Sequence, residues 1–304
     1  MAISAKEVNE LRQKTGAGIM DCKRALQETA GDIDKAALFL REKGMASAGK
    51  KASRVAAEGK VEFKMADDGR SGALAEINCE TDFVARGDDF QAFCGQVVAE
   101  ALAGDKTDPA QFEDQRKDLV AKTGENVVIR RLARFALDEG QHGKVETYQH
   151  MGGKIGVMVQ VHAPNAEAAG SQDFVDLCRE LAMHVAAASP QYLSSDEVPG
   201  DVVESEREIY RKQAIEQGKP EQIIDKMVEG RLRKWFAEFC LLDQPWVREQ
   251  KQSISALLKE VGGKVGGTVG IGRFVRYQLG EGIEKKQDDL AAEVQKQIQA
   301  AKGD

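Results

Sequence analysis

The sequence predicts an α+β protein: a three-helix N-terminal module, a duplicated α+β core of two subdomains, a projecting helical hairpin and a C-terminal helix. Three patterns carry that prediction. A set of residues recurs at a constant spacing of 84, apolar residues alternate with period two inside each copy, and the segments flanking the copies show the period of helices.

Ser4-Ala5-Lys6-Glu7 fits a capping box, after which Val8 and Leu11 share one helix face and Thr15-Gly16-Ala17-Gly18 ends the run. A second helix is predicted from Ile19 to Thr29. A third places Ile33, Ala36, Ala37 and Leu40 on one stripe before Gly44. The small, basic stretch from Met45 to Lys60 reads as a linker or exposed helix, with Lys50 to Arg54 on a solvated face.

The duplication follows. Gly59-Lys60-Val61-Glu62 returns as Gly143-Lys144-Val145-Glu146, Gly69 and Gly72 as Gly153 and Gly156, and Asp89-Phe90 with Cys94 as Asp173-Phe174 with Cys178. Within the copies Ala73, Ala75 and Ile77 hold the phase that Val157, Val159 and Val161 repeat, so each copy reads as a hairpin followed by a helix on one sheet face. Residues 126–137 read as a strand leading from the first subdomain into the second. Beyond the second copy, Val202 with Ile209 and Val203 with Tyr210 show heptad spacing up to Gly218-Lys219-Pro220. Ile224, Val228, Leu232, Trp235 and Phe239 then line the returning helix of a thin-seamed, charged hairpin. A strand is predicted at 272–282, and Leu290, Val294 and Ile298 stripe a terminal helix. The boundaries are 1–55 for the module, 56–140 and 141–282 for the subdomains, with the hairpin inserted at about 200–239, and 283–304 for the terminal helix.

The 304 residues carry 43 Lys and Arg against 50 Asp and Glu, a balance of −7, which lacks the positive field that direct nucleic-acid binding needs. No apolar run is long enough for a membrane span, and the first residues carry charges where a signal peptide is apolar, so a cytoplasmic protein is expected. The five scattered Cys, with no C-x-x-C pair, read as reduced and buried thiols.

Catalytic and metal motifs fail one by one. The run from Gly262 to Gly272 departs from a phosphate loop because Leu258 stands at the first Gly position and Val265 follows Lys264. His142, His150, His162 and His184 form no metal-ligand spacing, no Ser lies in G-x-S-x-G, and no Cys has a neighbouring His. The expectation is a protein with no catalytic residues, metal or cofactor. What remains is a tip: the first copy reads Glu80-Thr81-Asp82-Phe83 where the second reads Pro164-Asn165-Ala166-Glu167. Two readings stay open, a helix cap with Phe83 turned into the core or a wedge presented to a partner.

Several stretches, "LRQKTGAGIMDCKRAL", "INCETDFVAR", "YQHMGGKIGV", "LAMHVAA", "KMVEGRLRKW" and "GEGIEK", resemble the bacterial elongation factor Ts family over nearly the whole chain. The module of residues 4–44 is also similar to ubiquitin-associated domains. Trp246 stands where family members commonly have Phe, and the Gly-rich run and the tail are longer. The resemblance implies a non-enzymatic guanine-nucleotide exchange factor that binds elongation factor Tu with GDP, disturbs its Mg²⁺ and nucleotide site, and stays bound until GTP binds. It assigns the Mg²⁺ displacement to Thr81, Asp82, Phe83 and Val84 and a further partner contact to His150. The N-terminal module, hairpin and terminal helix would add contact area.

Overall fold

The structure, a computed structural model, describes residues 3–284, apart from the side chains of 44–50. The predicted terminal helix lies outside the described residues.

Three helices, α1 (Ala5–Thr15), α2 (Ile19–Glu28) and α3 (Ile33–Lys51), close around Leu11, Cys22, Ala25, Leu26 and Ala36. The capping box is formed: the Ser4 N–H donates to the Glu7 carboxylate at 2.7 Å while Ser4 Oγ accepts from the Glu7 N–H at 3.2 Å. Gly16, with φ 68°, ends α1 in the left-handed region. The third helix does not stop at Gly44 as expected but runs on to Lys51. Its two interior glycines, Gly44 and Gly49, each cost about 1 kcal/mol relative to Ala, and they stand among Met, Ala and Lys residues of high helix propensity.

The core is two three-stranded antiparallel sheets stacked face to face, with helices on the outer faces. In the first copy β1 (Glu58–Met65) and β2 (Ser71–Cys79) form the hairpin. Then come α4 (Asp82–Ala85), α5 (Asp88–Ala103), α6 (Glu113–Thr123) and β3 (Val128–Ala136). The second copy has β4 (Gly143–His150), β5 (Ile155–His162), α7 (Ala166–Gly170) and α8 (Gln172–Ala188). An insertion follows, made of α9 (Gly200–Glu216), α10 (Glu221–Phe239) and the small ribbon β6 (Pro245–Trp246) and β7 (Glu249–Ser253). The copy resumes with α11 (Ile254–Lys264) and β8 (Gly270–Gln278).

The strand read as a connector between subdomains is β3, which pairs antiparallel with β2 and completes the first sheet. Its apolar residues face both the helix layer and the other sheet, a burial that only a sheet member acquires: Ile129 joins one core and Phe135 the other. The later strand is β8, which completes the second sheet against β5 and begins two residues before the predicted start. Offsets show why the duplication was legible only in part. The first two strands repeat at 84, but Arg131 corresponds to Arg273 and Phe135 to Tyr277, both 142 apart, because the insertion precedes α11 and β8.

Each central strand is buried on both faces. Ala73, Ala75 and Ile77 meet Phe90, Phe93 and Val97 of α5, and Val157, Val159 and Val161 meet Phe174, Leu177 and Leu181 of α8. Between the sheets lie Val61, Leu74, Phe135, Val145, Met158 and Tyr277. The sheets approach closely there because Gly72 and Gly156 face each other's copy: a Cβ on Gly156 would fall 2.4 Å from Val61 Cγ1, and one on Gly72 would fall 3.0 Å from Met158 Sδ.

The hairpin of α9 and α10 is held by a seam of Ala214, Ile224, Val228 and Leu232, with Val203, Tyr210 and Phe236 half-buried along it. Trp235 and Phe239 differ from the predicted seam. They sit at the hairpin's base, where the Trp235 ring lies 4.9 Å from Phe239 and 6.3 Å from Tyr192, and the Phe239 carbonyl accepts from the Gln191 and Tyr192 N–H groups. Val202 and Ile209 also leave the seam, and Ile209 is exposed.

Candidate partner-docking site

The tip forms from its own sequence and from a turn 44 residues away. Thr81, extended at φ −124° and ψ 156°, caps α4 by accepting the Val84 N–H at 3.3 Å. Val84 packs half-buried on the first core and Ala85 is buried. Asp82 faces out and pairs with Arg86 at 3.0 Å, and Phe83 is 85% exposed. A solvent-facing Phe of that extent is unusual, and it excludes the reading in which Phe83 belongs to the core. The capping half of that reading holds, since Thr81 is the cap.

Beneath the tip, Glu125 accepts from the Glu80 N–H at 3.1 Å, the Thr81 N–H at 3.0 Å and the Thr81 hydroxyl at 2.6 Å. Glu80 accepts in turn from the Asn126 N–H at 2.6 Å. The Asn126 side chain donates to the Arg54 carbonyl at 2.8 Å, and Arg54 faces the Glu80 carboxylate at 3.5 Å. The linker from the N-terminal module is thereby tied to the foot of the tip. Sequence reasoning missed Glu125 and Asn126, because nothing local marks them.

His150 is exposed at the end of β4, with Nδ1 3.1 Å from the Tyr148 hydroxyl and the two rings stacked at 6.0 Å. The β4–β5 turn that follows carries Met151, 64% exposed, and its Gly153 carbonyl accepts the Val61 N–H near the start of β1. Because Glu58 of β1 pairs with Cys79 just before the tip, this turn and the tip occupy the same end of the stacked sheets. The module adds to that end. Gly16 packs on Lys122, whose Nζ lies 3.2 Å from Asp89, one turn past the tip, and Ile19 and Met20 stand exposed at the start of α2.

The remaining candidates are structural. All five Cys are free and buried, with burial pushing the thiols of Cys79 and Cys240 up to about 12 and about 11, far from a reactive thiolate. His184 is fully buried, held neutral by burial between the Gln244 side chain and the Val247 N–H. The Gly-rich run closes α11 and turns into β8. Among the described residues no three His, Cys, Asp or Glu side chains form a group that could hold a metal ion, and no helix is long and apolar enough to cross a membrane.

Residues 80–281 match the family model for Elongation factor TS. The chain is 49% identical over 302 residues to elongation factor Ts of Symbiobacterium thermophilum, covering 97% of this chain and 98% of that one. It is 47% identical over 309 residues to that of Clostridium perfringens, covering 97% and 98%, and 46% identical over 307 residues to that of Clostridium botulinum, covering 97% and 99%. With a family match across most of its length and relatives aligned end to end, the chain belongs to the elongation factor Ts family of translation elongation factors.

Proposed function

We propose that the protein is the guanine-nucleotide exchange factor of elongation factor Tu in the cytoplasm, acting on that GTPase directly, with no nucleic acid or membrane as partner. It binds the GDP form, disturbs the Mg²⁺ and nucleotide site with the tip, and stays bound until GTP enters. The observation that carries this reading is Phe83, 85% exposed on a turn clamped at its foot. Such a side chain contributes about 1.5 to 3 kcal/mol when a partner's apolar crevice covers it. Asp82 brings a carboxylate beside it, while Thr81 and Val84 set the turn from which both project.

A nucleotide held at about 1 nM is bound by roughly 12 kcal/mol, part of which runs through a Mg²⁺ bridging phosphates to protein. Shifting that ion's protein ligands weakens the nucleotide without making or breaking a covalent bond, so the exchange factor works without an acid, a base or a metal of its own. His150 with the neighbouring Met151, and Ile19 with Met20, add contact at the same end, so affinity does not rest on the tip alone.

Release of a fluorescent GDP from purified elongation factor Tu, followed with and without the chain, tests the proposal. The chain should accelerate release strongly. Phe83→Ala should lower the maximal release rate about tenfold or more while leaving the melting temperature within about 2 °C, because its side chain makes few contacts in the free protein. Unchanged release with the wild-type chain, or full activity of Phe83→Ala, would refute the wedge.

A further inference from the structure

We propose that Glu125 is the positioning residue of the tip: its carboxylate fixes the angle at which Phe83 meets the GTPase. The proposal rests on the reading of the tip given above. Glu125 stands in the turn between α6 and β3, after Gly124 at φ 75°. It takes both backbone N–H groups at the foot of the tip, from Glu80 and Thr81, and the Thr81 hydroxyl as well. Because the Thr81 hydroxyl spends its hydrogen on Glu125, an oxygen lone pair is left for the Val84 N–H, so the carboxylate also sets up the cap of α4. The hydroxyl bond is short at 2.6 Å, and hydrogen bonds to a carboxylate are stronger than neutral ones. Only Asp82 lies between Thr81 and Phe83, which leaves little backbone freedom between clamp and wedge.

The second copy supplies a control. Gly266, also at φ 75°, corresponds to Gly124, Gly267 to Glu125, Pro164 to Glu80 and Asn165 to Thr81. There Asn165 caps its short helix unaided, accepting the Ala168 N–H at 2.9 Å, and a Cβ on Gly267 would lie 2.5 Å from Pro164. The same turn and the same short helix therefore form without any carboxylate. Glu125 is present in the copy that carries Phe83 and replaced by Gly in the copy that lacks it. A residue needed only to close the turn would be required in both.

A structural role and a positioning role predict different readouts. The clamp is solvent-accessible at Thr81, so water can take over the two N–H groups when the carboxylate is removed, and folding loses little. The angle of the tip, in contrast, is lost. The test is the GDP-release assay with full-length wild type, Glu125→Ala, Glu125→Gln, Phe83→Ala and the double variant Glu125→Ala with Phe83→Ala, each titrated to saturation on elongation factor Tu.

Glu125→Ala should lower the maximal release rate about tenfold with the half-saturating concentration changed less than about twofold. Glu125→Gln should recover most of the rate, since its amide oxygen takes the two N–H groups and its NH₂ can donate to Thr81 Oγ1. The double variant should match Phe83→Ala alone, because a misaimed wedge and a missing wedge fail in the same way. Full release by Glu125→Ala beside a slow Phe83→Ala would overturn this proposal alone. So would rate losses that multiply in the double variant, or a fall in melting temperature beyond about 5 °C that Gln does not rescue. Full release by Phe83→Ala would overturn the reading of the tip and this proposal with it.

Discussion

The Arg131 guanidinium of the first sheet lies 4.4 Å from the centre of the Tyr277 ring of the second, and Arg273 returns the contact on Phe135 at 4.2 Å. Arg131 also donates to the Gln278 carbonyl and Arg273 reaches the Ala136 carbonyl, so corresponding residues of the two copies exchange corresponding contacts. The symmetry breaks at their partners on the central strands. Arg131 bonds the Glu76 carboxylate at 2.6 Å, whereas Arg273 bonds the neutral Gln160 at 2.7 Å.

That asymmetry predicts unequal costs. Glu76 is fully buried and also takes Arg130 at 3.1 Å and the Gly280 N–H at 2.8 Å, so Glu76→Ala removes the buried carboxylate that three groups share, leaving Arg131 its Glu281 carboxylate and Gln278 carbonyl and Arg130 the Glu281 carbonyl. We expect a loss of about 3 to 5 kcal/mol in urea unfolding, against about 1 to 2 kcal/mol for Arg273→Ala, whose loss leaves only a neutral amide without its partner.

The hairpin's seam is separate from both sheet cores, and its distal half is tied across by the exposed ion pair of Arg211 with Asp225, with Arg207 and Glu229 paired just inside it. Replacing residues 208–228 with a short Gly-Ser turn keeps Trp235, Phe239 and the base. The shortened chain should melt within about 4 °C of the wild type in a thermal scan. A larger fall would show that the core draws stability from the distal half.

His184 predicts a pH dependence. Its Nδ1 accepts the Val247 N–H at 3.3 Å and its Nε2 stands 3.0 Å from Gln244 Oε1, so the folded site suits the neutral ring with the proton on Nε2. Burial holds the folded value below 6.5, so the unfolded chain binds the extra proton first. Stability from this group is complete above about pH 6.5 and is lost as pH falls toward the lower folded value, with a slope approaching about 1.4 kcal/mol per pH unit. Unfolding free energies of wild type and His184→Gln between pH 7.5 and 5 should show the slope reduced in the variant.

Periodicity made the three-helix module, the strand hairpins of both copies and the coiled pair of α9 and α10 readable, because each buries one regular face against a neighbour close in sequence. The third strand of each sheet was readable as a strand but not as a sheet partner, and the helix before it was missed. In α6 only Leu119 and Val120 are buried, and β7 is the polar run Glu249–Ser253, held by pairing and not by a buried face. The Gly pair at the end of α11 hid a regular face of Ile254, Leu257, Leu258 and Val261, which Ser253 caps. At the site, the odd chemistry of Thr81 to Phe83 was visible by comparing the copies. The outward direction of Phe83 and the grip of Glu125 depend on contacts made after the chain has folded back, so local pattern carries neither.

The insertion ahead of β8 also shapes the order in which this protein emerges during synthesis. The first sheet has all its strands once Ala136 is made, yet the apolar face it turns inward, with Val61, Leu74 and Phe135, waits for a second sheet that is incomplete until Gln278. At about 5 to 20 residues per second the ribosome takes roughly 7 to 28 s to cover that distance. Through that interval the nascent chain carries a finished half whose greasy side is covered only in part, first by Val145 and Met158 of β4 and β5, the kind of surface that chaperones bind, and the late strand with Tyr277 is what ends the exposure.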